Sequence, residues 1–420
     1  MEQSFSEKPL PLLLTASMST EDLMLVPKPV KIAPDDISDC EALLVPLTNQ
    51  LPYITPLESL SNRPLTFTIS DQIYTLVYFH CEEYTSGCAL IEDVNDPKQS
   101  PPEFLPQNGV PKSTFFEAIG SRGLPQMFEV FERLSCKAAK ALGTKYYRLG
   151  SLCAIDSSLV DATLSMEWAD YTAKTNKAKV HLCFDINFGI PRKIILTEGK
   201  GAERPVADMQ LEKGQTGVMD RGYQDHQRFD AWQAEGKYFV CRIRQNTQKT
   251  VVRELPIPPN SNIIFFAQVY LGDQQHRTQN TFRLVGFKVG RKLFWVVTNR
   301  TDLTALEIAQ IYRLRWEIEK FFAWWKRHLN VYHLIARSPY GLMMQLLAGL
   351  ITYLLLIIYF YWRYLEYPSL FRLRQLRRTI RIERALRSIP SILLSKRKSI
   401  FLFMERRGTW GKLNIIVAIF

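Results

Sequence analysis

No two of the seven cysteines stand in a C-x-x-C spacing, and they are odd in number and scattered along the chain. This pattern argues against a structural zinc site and against the disulfide framework of a small secreted protein. We expect reduced, mostly buried thiols, as in a cytosolic protein. The first residues lack a basic stretch followed by an apolar core, so no signal peptide is predicted, and no internal repeat is visible.

Positive charge is in excess, with a formal net charge of +12 for the whole chain. Most of it lies between Arg363 and Lys412, where 14 Lys or Arg stand against three Glu. Such a block favours a polyanion, either a nucleic acid or an anionic membrane surface. The alternative is an ordinary solvated face, and the charge alone does not separate the two.

One apolar run is long enough to cross a bilayer, because Leu342 to Trp362 holds 21 residues without a charge. The alternative is a helix buried in the protein core. Gln345, Gly349 and Thr352 interrupt the run and weaken a lipid-facing interpretation. We therefore predict a core helix and no membrane as partner.

A chain of 420 residues suggests two or three domains. Residues 1–64 hold nine of the 23 prolines and are predicted to be a poorly structured lead-in. Residues 65–148 are predicted to form a helical N-terminal domain with possible DNA binding. Residues 149–335 are expected to be an α/β catalytic core with a β-rich insertion at about 244–300. Residues 336–420 are expected to be a helical, basic C-terminal region.

The helical signals of the N-terminal domain begin near Ser70 and extend to about Asp96. Ser113 is the expected N-cap of a second helix, and Pro125 opens a third that runs to about Leu142. The turn at 120–123 between the last two suggests either a helix-turn-helix or a plain helical hairpin.

The pattern changes near residue 150 to short apolar runs of strand character, separated by turns and one helix. The predicted strands are 152–155, 180–184, 193–196, 216–219, 238–241, 263–270, 282–287 and 293–297. A helix at about 224–234 lies among them, and a long helix is predicted from after Asp302 to about Leu329. Alternating strands and helices followed by a β-rich stretch predict an α/β core with an insertion.

Two acidic residues, Asp156 and Asp220, directly follow predicted strands. The strand ends of an α/β sheet are where reactive side chains are presented. Gly222 permits a sharp turn beside Asp220. The plainer interpretation of either aspartate is a turn or a helix cap.

The long predicted helix carries a polar stripe on a mainly apolar surface. At about 100° per residue, Tyr312, Arg315, Glu319 and Lys326 fall within roughly 60° of one another, whereas Glu317 falls far away. The alternative is an exposed face with an Arg315–Glu319 pair four residues apart. The surrounding aromatic residues favour a packed helix that presents one functional edge.

Three carboxylates without a His or Cys ligand cluster suit a hard divalent cation, Mg²⁺ or Mn²⁺. Two such ions stabilise both the attacking and the leaving oxygen of an in-line phosphoryl transfer. Basic and tyrosine side chains nearby would hold phosphates in register.

These residues resemble the DDE transposases of bacterial insertion sequences, in particular the group with the Y-R-E-K signature. Its spacing, Y-x2-R-x3-E-x6-K, is met by Tyr312, Arg315, Glu319 and Lys326. The two aspartates of the family match Asp156 and Asp220. The resemblance covers roughly residues 70–360.

The resemblance implies an RNase H-like catalytic core whose β-rich insertion lies between the second aspartate and the glutamate. It implies that Asp156, Asp220 and Glu319 hold two Mg²⁺ or Mn²⁺ ions, that Arg315 and Lys326 contact phosphates, and that Tyr312 helps to position the DNA end. The expected partners are the terminal inverted repeats, target DNA and a second copy of the chain in a homodimer. The expected location is cytoplasmic, associated with the nucleoid.

The implied activity is DNA transposition. Hydrolysis frees a 3′-hydroxyl at each end of the element, that hydroxyl attacks the opposite strand to release the element, often through a hairpin, and strand transfer into target DNA follows. Two alternatives remain open. One is a structure-specific DNA nuclease on the same core, and the other is a non-catalytic DNA-binding relic.

Overall fold

The computed structural model describes residues 39–59, 64–97, 101–162, 165–172, 175–329 and 331–387. Most of the predicted lead-in and the apolar run at 413–420 lie outside these residues. Within the lead-in, helix α1 spans Asp39–Thr48 and buries Leu43 and Leu47. The prediction of poor structure is therefore wrong for this stretch, because its leucines are spaced to pack on one side.

The N-terminal part is helical, as predicted. After α1 its helices are α2 (Ile69–Glu82), α3 (Gly87–Val94), α4 (Lys112–Ser121) and α5 (Leu124–Leu142). The single helix predicted to extend to about Asp96 is in fact two helices, because Glu83 adopts a left-handed backbone conformation with φ of 61° and ends α2. The predicted N-cap at Ser113 is also wrong, since α4 begins at Lys112 behind Pro111.

The rest is a mixed α/β fold around one ten-stranded sheet. The strands are β1 (Leu152–Ala162), β2 (Asp170–Thr172), β3 (Thr175–Asp185), β4 (Ile190–Glu198), β5 (Thr216–Met219), β6 (Tyr238–Arg242), β7 (Lys249–Glu254), β8 (Ile263–Leu271), β9 (Phe282–Val289) and β10 (Lys292–Thr298). Strands β4, β3, β1, β5 and β6 form one half in that order, with the short β2 beside β3. Strands β10, β9, β8 and β7 continue the sheet from β6.

Strand direction divides the sheet in the same place. Strands β1, β5 and β6 are parallel, whereas β3 runs antiparallel to both β1 and β4. Every pairing from β6 outward to β7 is antiparallel. The predicted β-rich stretch therefore does not form a separate sheet but lengthens the first one.

Helices cover both faces of the sheet. They are α6 (Glu203–Gln210), α7 (His226–Ala234), α8 (Ala305–Leu314), α9 (Trp316–His328), α10 (Pro339–Tyr364) and α11 (Leu370–Arg387). Side chains of β1 alternate between the faces: Leu152 and Ala154 join the core that contains α8, α9 and α10, whereas Cys153 and Ile155 join the core that contains α6 and α7.

Helix α10 contains the uncharged run and is the one described helix that is long and apolar enough to span a bilayer. Its most apolar window is completely buried against other parts of the protein, including α2 and α5. The prediction of a buried core helix is confirmed. Gln345 uses its amide within this core, donating to His333 O at 2.7 Å and accepting from the Ile335 N–H at 2.8 Å.

Helix α11 carries part of the basic block, and several of its arginines face acidic residues of the protein itself. Arg377 is buried and pairs with Glu83, while Arg384 lies 3.0 Å from Glu82. These charges anchor the C-terminal helix to α2 and are not displayed to a polyanion.

The expectation that the thiols are reduced is wrong at one place, because Cys153 and Cys183 form a disulfide with a Cα–Cα distance of 5.9 Å. The two residues lie on the adjacent strands β1 and β3 and point into the same core. No local pattern predicts this pair, because the proximity of the two cysteines depends on strand pairing across a 30-residue separation.

Candidate active site

The sequence predicted Asp156 at the end of a strand. In the structure it lies in the middle of β1. The strand continues to Ala162 because residues 157–162 pair with β3 although they are less apolar than 152–155. By the alternation of β1, Asp156 faces the helices α8–α10. Its Oδ1 accepts the Ser157 N–H at 2.8 Å, which fixes one carboxylate oxygen against the strand.

Asp220 directly follows β5, as predicted. Its carboxylate accepts the Gly222 N–H at 2.8 Å and caps a short helical turn over Arg221–Tyr223. Ala154 pairs with Val218 in the parallel register of β1 and β5, so two residues further on Asp156 lies beside Asp220.

Helices α8 and α9 bring the third carboxylate to the same edge. The predicted long helix is interrupted at Arg315, but Arg315 retains αR backbone angles, so the helical phase continues across the interruption. Arg315 Nη1 lies 3.2 Å from Asp156 Oδ2, and Nη2 donates to Glu319. One guanidinium thus links the glutamate of α9 to the aspartate of β1.

Glu317 points elsewhere. It pairs with Lys320 at 2.6 Å, and both side chains are more than 40% exposed. The structure therefore separates the two glutamates of α9 in the way that the helical phase predicted: Glu319 faces Asp156, and Glu317 faces solvent.

The electrostatics of Asp156 reflect the neighbouring carboxylates. The pKa of Asp156 is raised to about 6, chiefly by burial and in addition by the negative charges of Asp220 and Glu319. The Ser157 N–H and the Arg315 guanidinium act in the opposite direction. This cluster of like charges would be stabilised by additional positive charge.

Tyr312 is almost fully buried, at 6% exposure, and its ring packs against Phe287 and Phe294 of the added strands. The Arg315 guanidinium lies 5.8 Å from the centre of the Tyr312 ring. The tyrosine therefore packs between the Arg315 guanidinium and the strands β9 and β10.

Lys326 lies further along α9 and is buried except for 8% of its surface. Its ammonium group donates to Leu159 O of β1. Burial lowers the pKa of Lys326 to about 8, assisted by the nearby Lys177 charge. It borders a cleft of about 300 Å³ that is also lined by Ala323, Arg327, Tyr332 and His333.

The donor set suits a hard divalent cation, because it offers carboxylate oxygens and excess negative charge. With Arg315 between Asp156 and Glu319, the described part of the chain holds no group of three or more His, Cys, Asp or Glu arranged to bind a metal ion. The turn at Gly222 is crowded, because an added Cβ would lie only 3.0 Å from Asp220 Oδ1. The residues fit such an ion once Arg315 turns from the carboxylates toward another anion.

Sequence reasoning missed Glu203 at the start of α6. It accepts a hydrogen bond from Ser157 Oγ at 2.6 Å and approaches the Gly222 turn from the side opposite to α9. Its only local signal was an acidic residue that opens a helix after the glycines Gly199 and Gly201.

The region that holds the site is similar to known proteins. Residues 148–355 match the model described as the transposase DDE domain. A "Probable transposase for insertion sequence element IS5377" from Geobacillus stearothermophilus is 31% identical over 208 residues, which are 48% of this chain and 55% of that relative. A relative from Synechocystis, assigned as a transposase of element IS4SA, is 28% identical over 58% of this chain and 70% of its own length.

The match thus spans little more than half the length of the first of these relatives. Among solved structures, the synaptic complex of piggyBac transposase with hairpin DNA covers 90% of this chain and 88% of its own, with 10% identity and a TM-score of 0.42. A likeness at that level supports no conclusion about this chain. Residues 148–355, which contain Asp156, Asp220 and Glu319 and make up just under half of the chain, are similar to the transposase DDE domain.

Proposed function

We propose that this chain is a DNA transposase that cuts at the ends of an insertion sequence and joins them to target DNA. The observation that carries the proposal is the convergence of Asp156, Asp220 and Glu319, from three separate elements, around one arginine. Asp156 lies in the middle of β1, Asp220 directly follows β5, and Glu319 lies on α9, so three separate elements supply the carboxylates.

We place this site on an RNase H-like core made of β1 to β6. The antiparallel β4-β3-β1 set joined to the parallel β1-β5-β6 set supports this assignment. Strands β7 to β10 are then the β-rich insertion, at about 244–300, between Asp220 and Glu319. Residues 65–148 remain the proposed helical DNA-binding domain, and 336–420 the basic C-terminal region.

Asp156, Asp220 and Glu319 would hold two Mg²⁺ or Mn²⁺ ions, which stabilise the charge on the attacking and leaving oxygens of an in-line displacement. The remaining positive groups bind DNA phosphates. Arg315 exchanges its carboxylate partners for a phosphate near the cleaved end, Tyr312 keeps the guanidinium in place, and Lys326 contacts the backbone further along α9.

The reaction has two steps, hydrolysis and strand transfer. A water oxygen attacks phosphorus at the end of the element, the bond from phosphorus to the 3′-oxygen breaks, and that oxygen leaves as a 3′-hydroxyl after taking up a proton. The freed 3′-hydroxyl then attacks a phosphorus of target DNA and displaces one target strand. A homodimer would hold both terminal inverted repeats, in the cytoplasm at the nucleoid.

The direct test uses the purified chain, DNA carrying the inverted repeats of its element, a supercoiled target plasmid and Mg²⁺ or Mn²⁺. We expect nicking at the ends and covalent joining to the plasmid, with both lost in Asp156→Ala while DNA binding persists. Nicking without any joining would indicate a nuclease, and binding without nicking would indicate a non-catalytic relic.

A further inference from the structure

Glu203 occupies a position for which the DDE site as described provides no role. It is the first residue of α6, on the face of the sheet opposite to α9. One of its carboxylate oxygens accepts a hydrogen bond from the strand that carries Asp156, and the other lies near the turn that follows Asp220.

The first contact runs through Ser157. Because β1 alternates, Ser157 points away from α9 and toward α6, and its Oγ donates to Glu203 Oε1 at 2.6 Å. The N–H of the same serine donates to Asp156 Oδ1 at 2.8 Å. Fixing the Ser157 side chain therefore also fixes the peptide group that holds the Asp156 carboxylate.

The other carboxylate oxygen of Glu203 lies near Gly222. A Cβ built on Gly222 would lie 3.0 Å from Glu203 Oε2 and 3.0 Å from Asp220 Oδ1, so both oxygens face the same small space. Arg204, the next residue of α6, donates from Nε to Gly222 O at 3.4 Å. Arg204 thus bonds to the turn that orients Asp220, and Glu203 lies beside the same turn.

Lys179 of β3 keeps Glu203 in place. Its Nζ lies 3.6 Å from Glu203 Oε1 and donates to Gly201 O at 2.9 Å, just before α6 begins. The Lys179 side chain is 14% exposed and the Glu203 side chain 31% exposed, so the pair is partly shielded from solvent. Lys179 thus balances the negative charge of Glu203. Arg315 pairs with Asp156 and Glu319 instead.

We propose that Glu203 is a positioning residue of the active site, which orients Asp156 through Ser157 and Asp220 through the Gly222 turn. The inference rests on the proposed DNA cleavage. Outer groups that orient ligand carboxylates typically change metal affinity or activity on the order of 10- to 100-fold when removed. A hydrogen bond carries the role, so a neutral amide retains a large part of it.

The experiment compares Ser157→Ala, Glu203→Ala, Glu203→Gln and the double alanine variant with the wild-type chain. Glu212→Gln is the matched control, because Glu212 is 57% exposed and pairs with Lys193 away from the site. Two quantities are measured. The first is the rate of end nicking. The second comes from an Mn²⁺ titration without DNA: the Mn²⁺ concentration at which the melting temperature has risen by half of its full metal-induced increase.

We expect Glu203→Ala to slow nicking and to raise that Mn²⁺ concentration, each on the order of tenfold or more. Ser157→Ala should shift both in the same direction, and the double variant should be no worse than Glu203→Ala, because both changes break one contact. Glu203→Gln should recover most of the loss. Wild-type values in Glu203→Ala, additive losses in the double variant, or a glutamine variant as defective as alanine would each overturn the proposal.

The two measurements separate this inference from the function on which it rests. A wild-type chain that binds Mn²⁺ but never nicks DNA would contradict the proposed function, whereas the melting data would still decide the role of Glu203. If Glu203→Ala does not fold, Ser157→Ala and Glu203→Gln test the same contact with smaller changes.

Discussion

Arg315 Nη1 lies 3.2 Å from Asp156 Oδ2, although the two residues are 159 positions apart in the chain. The same guanidinium donates through Nη2 to Glu319, so one cation balances two carboxylates that come from β1 and α9. Because a guanidinium presents several donors in a fixed plane, it can hold both at once.

Arg315→Lys should break this arrangement, because an ammonium group is a single point of charge and lacks the planar fork. We expect nicking to slow by about tenfold or more, with one carboxylate left without its partner. Arg313→Lys is the control, since Arg313 is exposed on the same helix. A lysine variant as active as the wild type would show that the double contact is dispensable.

Asp156→Asn should stabilise the metal-free protein at pH 8. Burial raises the pKa of Asp156 from 3.8 to about 6, so the ionised side chain costs the fold roughly 2 to 3 kcal/mol above pH 6. The folded state binds the proton more tightly than the unfolded state, and the cost therefore appears as pH rises from about 4 to 6. Melting curves in a chelator should show a higher melting temperature for Asp156→Asn than for the wild type at pH 8, and almost no difference at pH 4. A melting temperature lowered equally at both pH values would contradict the raised pKa of Asp156.

Arg377→Leu should destabilise the protein, because Arg377 is 2% exposed, pairs with Glu83 and donates to His80 O at 3.3 Å. Removing one partner of such a buried pair costs about 2 to 4 kcal/mol, reduced here because Glu83 is one-third exposed and retains Arg381. Urea denaturation measures the change. Arg374→Leu, on the exposed side of α11, should change the free energy of unfolding by less than about 0.5 kcal/mol.

Lys326→Ala should weaken binding to the DNA ends and make it less sensitive to salt. Loss of one phosphate contact lowers the slope of log K against log salt concentration by about 1. Lys213→Ala is the control, because Lys213 is exposed and precedes β5 at the end opposite to Asp220. Titrations at several salt concentrations that give equal slopes for Lys326→Ala and wild type would remove Lys326 from the DNA interface.

The helical phase was the most informative property of the sequence. It separated Glu319 from Glu317 before any contact was known, because residues three, four and seven apart share a helix face. The helical phase continues from α8 into α9 because Arg315, which lies between them, keeps helical backbone angles. Position after an apolar run similarly predicted the place of Asp220 at the end of β5.

Other features depend on partners distant in sequence. Residues 157–162 extend β1 past Asp156 because β3 offers them a hydrogen-bonding edge, which the local pattern does not reveal. The role of Glu203 depends on its neighbours Ser157, Lys179 and Gly222, which lie on three different elements. The same reason accounts for the Cys153–Cys183 disulfide and for the arginines of α11 that turn inward to α2.

The most direct measurement is end nicking by two single variants of α9, Glu319→Gln and Glu317→Gln. The substitutions are chemically identical and two residues apart, yet Glu319 reaches Asp156 through Arg315 whereas Glu317 reaches only Lys320. We expect Glu319→Gln to bind DNA but no longer nick it, and Glu317→Gln to nick at close to the wild-type rate. Nicking retained in Glu319→Gln, or lost in Glu317→Gln alone, would contradict the assignment of Glu319 to the active site.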